Sequence, residues 1–310
     1  MVDISITLPN EFLKEEVREG YLVSKKIKEL WAIQLDLLSQ VVTLCKKYNI
    51  QYFLCGGTLL GAIRHKGFIP WDDDLDIMMT RNNFNRFCQI AEKELLYPYF
   101  IQTEKTDPGC LYRFAKIRNC MTTGIENKPY YQNNKRINQG IFIDVFCLDK
   151  IPDNTTEREK YFNELYKIWG KVWKIGAYES HYIHFSIWDD FKMQVKLLMM
   201  KLTNKRNYYN DKFEKLAAKY KDDETKECCH IAGALRKGTV VDSRYLWSCK
   251  DYIYFKEANF EFMKLSIPVE YEKQLDSLYG DWHKPVMGQN SHGELIIDTE
   301  KSYNHKDRTM

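Results

Sequence analysis

Four carboxylates fall within a five-residue stretch, at Asp72, Asp73, Asp74 and Asp76, between the turn-like run from Gly67 to Pro70 and the apolar Ile77-Met78-Met79. In an extended chain successive side chains point to opposite faces, so Asp72, Asp74 and Asp76 share one side. Three carboxylates on one face repel each other unless a positive charge sits among them. A hard divalent cation suits such a face, and Mg²⁺ needs only one or two protein carboxylates when substrate phosphates supply further oxygens. An acidic turn solvated at the surface has the same composition, but Trp71 before it and the apolar residues after it mark a strand entering a core. Just upstream, Gly56-Gly57-Thr58 follows the apolar Phe53-Leu54-Cys55. Two glycines between a strand and a helix let the backbone approach a ligand, and free N–H groups at a helix start attract phosphate. The pairing of a phosphate cradle with a carboxylate strand points to metal-assisted chemistry on a phosphate compound.

Further residues fit that chemistry. In the strand-like run from Tyr112 to Arg118, Lys116 and Arg118 share one face and would help neutralise a phosphate; a solvated strand face would read the same. The run GIFIDVFCL (140–148) is broken by one charge, Asp144. A lone carboxylate in a buried strand is costly unless it is paired or binds metal, so Asp144 is a third metal ligand or a general base, with an Arg or Lys partner as the structural alternative. Arg64, His65 and Lys66 add candidate phosphate contacts.

Composition sets the outer bounds. The chain of 310 residues is 44% hydrophobic and 29% charged, ordinary for a globular protein, with a formal net charge of +3. That near-neutral balance gives no support to nucleic-acid binding. Aromatics reach 14% of residues, with 21 Tyr and 7 Trp, enough for packing or for surfaces that stack on sugars or enclose a quaternary ammonium. The nine cysteines are scattered with no C-x-x-C pair, as free core thiols are. Cys228-Cys229-His230 is metal-like only on paper, because neighbouring Cys side chains rarely chelate one ion. With no signal peptide and no long apolar span visible, the expected setting is the reduced cytoplasm, with association at the inner face of the membrane as an extension.

Periodicity supplies the supporting elements. A core-facing helix is expected over 24–48, strands over 51–55, 75–79, 99–102, 110–119 and 140–148, and helices over 58–64 and 81–96. Residues 1–23 read as a polar lead-in and 127–139 as a polar loop. Thr156 with Glu159 looks like a capping box ahead of a helix bearing Tyr161, Leu165, Trp169 and Trp173. A second amphipathic helix runs from Phe185 to Leu202, with Trp188, Phe191, Val195, Leu198, Met199 and Leu202 on one side and Lys192, Lys196, Lys201, Lys205 and Arg206 on or beyond the other. Such a helix packs on its neighbours or rests on an anionic membrane surface. Residues 207–221 continue as a polar helix, 252–267 are strand-like around Glu257, and a last helix starts at Pro268 and stops at Gly280, before a polar tail.

Four blocks, CGGTLLGAIRHKGFIPWDDDLDI (55–77), KIRNCMTTGIE (116–126), GIFIDVFCLD (140–149) and IPVEYEKQLDSLYGDWHKP (267–285), make the chain resemble the LicD/fukutin family of the nucleotidyltransferase superfamily. The resemblance implies an α+β fold: a nucleotidyltransferase-like mixed sheet flanked by helices, with a helix-rich insertion. It divides the chain into a catalytic core over 1–150, a helical insertion over 151–225 that meets the acceptor or a membrane surface, and a segment over 226–310 completing the catalytic domain. It implies Mg²⁺, with Mn²⁺ as the alternative, on Asp74, Asp76 and Asp144, with Asp72 beside them and Gly56 and Gly57 receiving donor phosphates. The family's reaction is transfer of phosphocholine or another phospho-alcohol, such as ribitol phosphate, from a CDP-linked donor to a lipid-linked or soluble glycan hydroxyl, including teichoic-acid and lipopolysaccharide precursors. If CDP-choline is the donor, Trp71 is the first aromatic candidate for its trimethylammonium and the surroundings of Glu257 the second. The same glycines and aspartates would also serve a nucleotidyltransferase passing NMP from an NTP to a small acceptor. The sequence leaves the oligomeric state open.

Overall fold

The computed structural model describes residues 1–184, 186–203, 205, 207–235, 241–287 and 295–304. A small hairpin, β1 (Glu16–Arg18) and β2 (Tyr21–Val23), lies inside the stretch that reads as a lead-in. Ser24 then accepts the backbone N–H of Ile27 and opens α1 (Lys25–Tyr48), which closes where Asn49 turns left-handed at φ 49°. The first half continues as β3 (Phe53–Leu54), α2 (Gly56–Arg64), β4 (Asp76–Thr80), α3 (Arg81–Glu94), β5 (Tyr99–Gln102), β6 (Ala115–Asn119), β7 (Thr123–Glu126), α4 (Pro129–Asn133) and β8 (Ile141–Lys150). The rest comprises α5 (Thr155–Glu179), α6 (Ile187–Leu202), α7 (Tyr208–Ala217), β9 (Glu227–Cys229), α8 (Ile231–Ala234), β10 (Leu246–Ser248), β11 (Phe255–Phe260), β12 (Met263–Pro268), α9 (Tyr271–Tyr279) and β13 (Leu295–Asp298). The fold is α+β.

The main sheet is mixed and centred on β8. This strand runs parallel to β4, with Asp76 opposite Asp144, and antiparallel to β6, with Lys116 opposite Asp144. One level of the sheet therefore sets Asp76, Asp144 and Lys116 side by side on three adjacent strands. β3 extends the sheet beyond β4, β5 beyond β6, and β9 with β10 pair along the far end of β8. β11 and β12 form a separate hairpin, and β13 pairs with β7.

α1 packs an apolar stripe including Leu30, Trp31, Ile33, Leu37 and Val41 into the main core, where each is fully buried. Burial of such side chains is worth roughly 1.5–3 kcal/mol each. At the far end of β4, Arg81 grips Asp149 through two hydrogen bonds of 2.6 and 2.9 Å and Glu214 of α7 through a third of 2.7 Å. This buried fork ties β4 and β8 to the helical segment. No helix among the described residues is long and apolar enough to cross a membrane.

Several boundaries differ from the sequence reading. The strand expected over 110–119 begins only at Ala115, because Gly109 and Leu111 take positive φ and break the extension. A short helix, α4, occupies part of the expected 127–139 loop. The cap of α5 is Asn154, whose side chain accepts the N–H of Glu157, so the pattern at Thr156 and Glu159 lies inside the helix. Pro268 ends β12, and the last helix starts at Tyr271. Part of the tail, β13, is a strand. Phe185 and Arg206, expected at the ends of the second amphipathic helix, lie outside the described residues.

Candidate active site

The acidic segment is held in place from behind by α1. Trp31 Nε1 donates to the Asp72 carbonyl at 3.1 Å and Gln34 Nε2 to the Asp73 carbonyl at 2.8 Å. The Asp76 N–H donates to Thr58 Oγ1 at 2.7 Å, fixing the first residue of β4 against α2. Regular strand geometry begins at Asp76, yet the alternation extends back along the chain: Asp72, Asp74 and Asp76 line one cavity and Asp73 is buried away from it.

Gly56 and Gly57 lie directly beneath those carboxylates. Gly56 has φ +55°, and a Cβ there would meet Asp76 Oδ2 at 2.9 Å; a Cβ on Gly57 would meet Asp72 Oδ2 at 2.7 Å. The positive end of α2 thus faces the acidic wall, which favours the ionised carboxylates. Burial, then the charges of Asp74, Asp144 and Asp72, push Asp76 well above the usual carboxylate range. Its Oδ1 is buried with no hydrogen-bond partner. An orphaned acceptor amid clustered carboxylates is the donor set a hard divalent cation takes, so the residues present fit Mg²⁺. Among the described residues, no group of three or more His, Cys, Asp or Glu side chains is placed to hold a metal ion by itself, so phosphate oxygens would have to complete the set.

Opposite this wall stands Lys116, almost wholly buried. Its Nζ lies 2.7 Å from Asp144 Oδ1 and 3.4 Å from Glu126 Oε1. The rings of Phe142, Tyr112 and Phe114 surround it, with centroids at 3.5, 4.5 and 5.3 Å. Burial raises Asp144, and Lys116 pulls it back. Burial also raises Glu126, but Lys116, Lys128 and hydrogen bonds from Lys128 and Tyr112 outweigh it and hold this carboxyl at about 2.

These walls enclose a cavity of about 820 Å³. Of the residues singled out from sequence, Gly56, Gly57, Trp71, Asp72, Asp74, Asp76, Lys116 and Asp144 line it. Thr58 supports it from behind. The others lie elsewhere. Arg118 is buried against the Gln102 side chain and the Gly140 carbonyl, at 2.5 and 2.6 Å. Arg64 donates to the Trp282 carbonyl at 2.8 Å, Lys66 Nζ caps the Ile63 carbonyl at 2.9 Å, and Glu257 is exposed opposite Ser266 on the β11–β12 hairpin.

The cavity also contains groups that the sequence reading did not assign. Tyr112, Phe114, Tyr131, Phe146, Tyr245 and Trp247 form an aromatic wall, with Lys128, Arg113 and Arg244 among the cations. Tyr279 closes the acidic side; its hydroxyl end lies near Gly56, where burial, then Asp76, Asp72 and Asp74, push its ionisation well upward. The signal available for Tyr279 was its place in the 267–285 block. The consecutive Cys228 and Cys229 point into different cores, as neighbouring strand residues do, and so do not share an ion.

Residues 49–146 match the family model described as "LicD/FKTN/FKRP, nucleotidyltransferase domain". Over 129 residues, 41% of this chain and 46% of the relative, the sequence is 37% identical to "Lipopolysaccharide cholinephosphotransferase LicD" of Haemophilus influenzae. It is also 30% identical over 167 residues to an uncharacterized protein of Rickettsia prowazekii, covering 54% of each chain. A third relative, an uncharacterized protein of Rickettsia typhi, is 41% identical over 111 residues, 36% of each chain. The chain thus spans about half or less of the curated relatives it matches. The matched residues 49–146 take in the acidic wall, Lys116 and Asp144, so this stretch is similar to the nucleotidyltransferase domain that the family model describes.

Proposed function

We propose that this protein transfers phosphocholine from CDP-choline to a hydroxyl of a cell-surface glycan precursor. The observation that carries the reading is the orphaned, buried Asp76 Oδ1 on the acidic wall of an aromatic-lined cavity. The likeness to a lipopolysaccharide cholinephosphotransferase supports phosphocholine over other phospho-alcohols. Asp74, Asp76 and Asp144 would hold Mg²⁺ or Mn²⁺. Bound there, the cation would draw charge from the donor's pyrophosphate oxygens and from the leaving CMP.

The remaining roles belong to the chain's own side chains. Lys116 fixes Asp144 and supplies positive charge at the cavity wall, where Lys128 adds a second, more exposed ammonium. The rings of Tyr112, Phe114, Tyr131 and Tyr245 offer faces for the trimethylammonium group, and Trp71 stands on the acidic side. Asp72 or Asp144, both on the cavity wall, would take the acceptor's proton. The attacking hydroxyl oxygen then forms the new P–O bond as the bond to CMP breaks.

Calorimetric titration with CDP-choline, CDP-ribitol, CDP and CTP, each with and without Mg²⁺, tests the assignment. Metal-dependent binding of CDP-choline, tighter than CDP, is expected. Preference for CDP-ribitol would replace the alcohol, and tight CTP binding with indifference to both CDP-alcohols would replace the reaction by nucleotidyl transfer.

A further inference from the structure

α6 turns its apolar face away from the body of the protein. Ile187, Trp188, Phe191, Leu198 and Leu202 are 87, 76, 60, 56 and 72% exposed, and Val195 and Met199 fill the gaps between them. At about 100° per residue these positions form one unbroken arc of about 120°. The opposite side is the one that packs, through buried Met193 and Met200. The amphipathic pattern is thus inverted relative to an ordinary surface helix, whose apolar stripe would face the core.

The charges on the helix are sorted about that arc. Lys192 and Lys196 border one edge and Lys201 the other, with Lys205 following the last turn. Asp189 and Asp190 sit on the side towards the body, where Asp189 accepts from Lys192 at 3.5 Å and Asp190 from Gln194 at 3.0 Å. The outward half of α6 therefore carries no acid. Pairing of two copies through this stripe would set lysine edge against lysine edge with nothing on the helix to answer them. A layer of anionic headgroups over an apolar interior complements both features, the apolar arc entering the acyl boundary and the lysines meeting phosphates.

We propose that α6 is a membrane-surface docking helix, lying in the interface of an anionic phospholipid bilayer. The binding is independent of the transfer reaction, so its test stands apart from that of the proposed activity. The full chain is sedimented with vesicles of phosphatidylcholine alone and of phosphatidylcholine with phosphatidylglycerol, at low and high salt. The wild type should pellet with the anionic vesicles, much less with the neutral ones, and less at high salt. Phe191→Glu with Leu198→Glu should lower the partition at least tenfold, and Lys192→Glu with Lys201→Glu by a similar factor. Both double variants change exposed positions, so circular dichroism and melting should match the wild type; if the apolar pair melts lower, the lysine pair decides. Wild-type protein left in the supernatant with anionic vesicles would overturn the proposal, as would unchanged binding by the folded variants. A dimer in light scattering that the Phe191→Glu, Leu198→Glu variant dissolves, without vesicle binding by the wild type, would assign the stripe to a second copy instead.

Discussion

Lys116 Nζ stands 2.7 Å from Asp144 Oδ1, and the two residues face each other across the antiparallel β6–β8 pair. The ammonium is shared with Glu126 and flanked by three aromatic rings, so these two carboxylates are its close charge partners at the cavity wall. Removing it leaves the buried Asp144 without its ammonium and Glu126 with only Lys128 and Tyr112. Lys116→Met should cost about 3–5 kcal/mol in chemical unfolding and abolish donor binding. An unchanged unfolding midpoint would show that Asp144 does not depend on this partner.

Gly56→Ala tests the contact between α2 and the acidic wall. The positive φ alone should cost about 1–2 kcal/mol, and the new Cβ would press on Asp76 Oδ2. Gly20 also has a positive φ, but a Cβ there would meet nothing within 4 Å, so Gly20→Ala carries the backbone strain without the crowding. Both variants should melt lower, but only Gly56→Ala should lose Mg²⁺-dependent binding of CDP-choline. Equal loss in both would contradict a local role for Gly56.

The Arg81–Asp149 fork predicts strong non-additivity. Arg81→Leu strands a buried carboxylate and should cost about 3–5 kcal/mol, whereas Arg81→Leu with Asp149→Leu should recover much of that loss. Urea unfolding of the two singles and the double closes the cycle.

Glu126 gives a pH signature. Its carboxyl is held at about 2 in the folded protein against an ordinary 4.5. The folded value is the lower one, so its contribution is fully present above 4.5 and is lost as pH falls from there through about 2. The contribution is about 3 kcal/mol. Urea unfolding at about pH 6 and about pH 3 should show a smaller acid loss in Glu126→Gln than in the wild type. Parallel losses would contradict the pairing with Lys116 and Lys128.

The acidic wall was legible because its information is local. The alternation of Asp72, Asp74 and Asp76, the glycine pair and the lone charge in β8 are short-range patterns that strand geometry converts directly into shared faces. The fates of Arg64, Lys66, Arg118 and Glu257 were not legible, since spacing reports which way a side chain points and not what lies in front of it. Arg118 shares the face of Lys116 but meets the Gly140 carbonyl and Gln102 before it could reach the cavity. The aromatic wall was hidden for a different reason. Tyr112, Tyr131, Phe146 and Trp247 come from separate elements whose meeting depends on the sheet order, which no single window of sequence contains. α6 was legible as amphipathic, but not in which direction its stripe faces.

The central claim is that Asp76 and Asp144 hold a divalent cation that the donor needs. Mn²⁺ binding followed by electron paramagnetic resonance, with and without CDP-choline, tests it most directly on the wild type, Asp76→Asn and Asp144→Asn. The free Mn²⁺ signal should fall when wild-type protein and CDP-choline are both present and should persist with either variant. Equal Mn²⁺ uptake by Asp76→Asn, or CDP-choline binding undiminished by a chelator, would contradict the account.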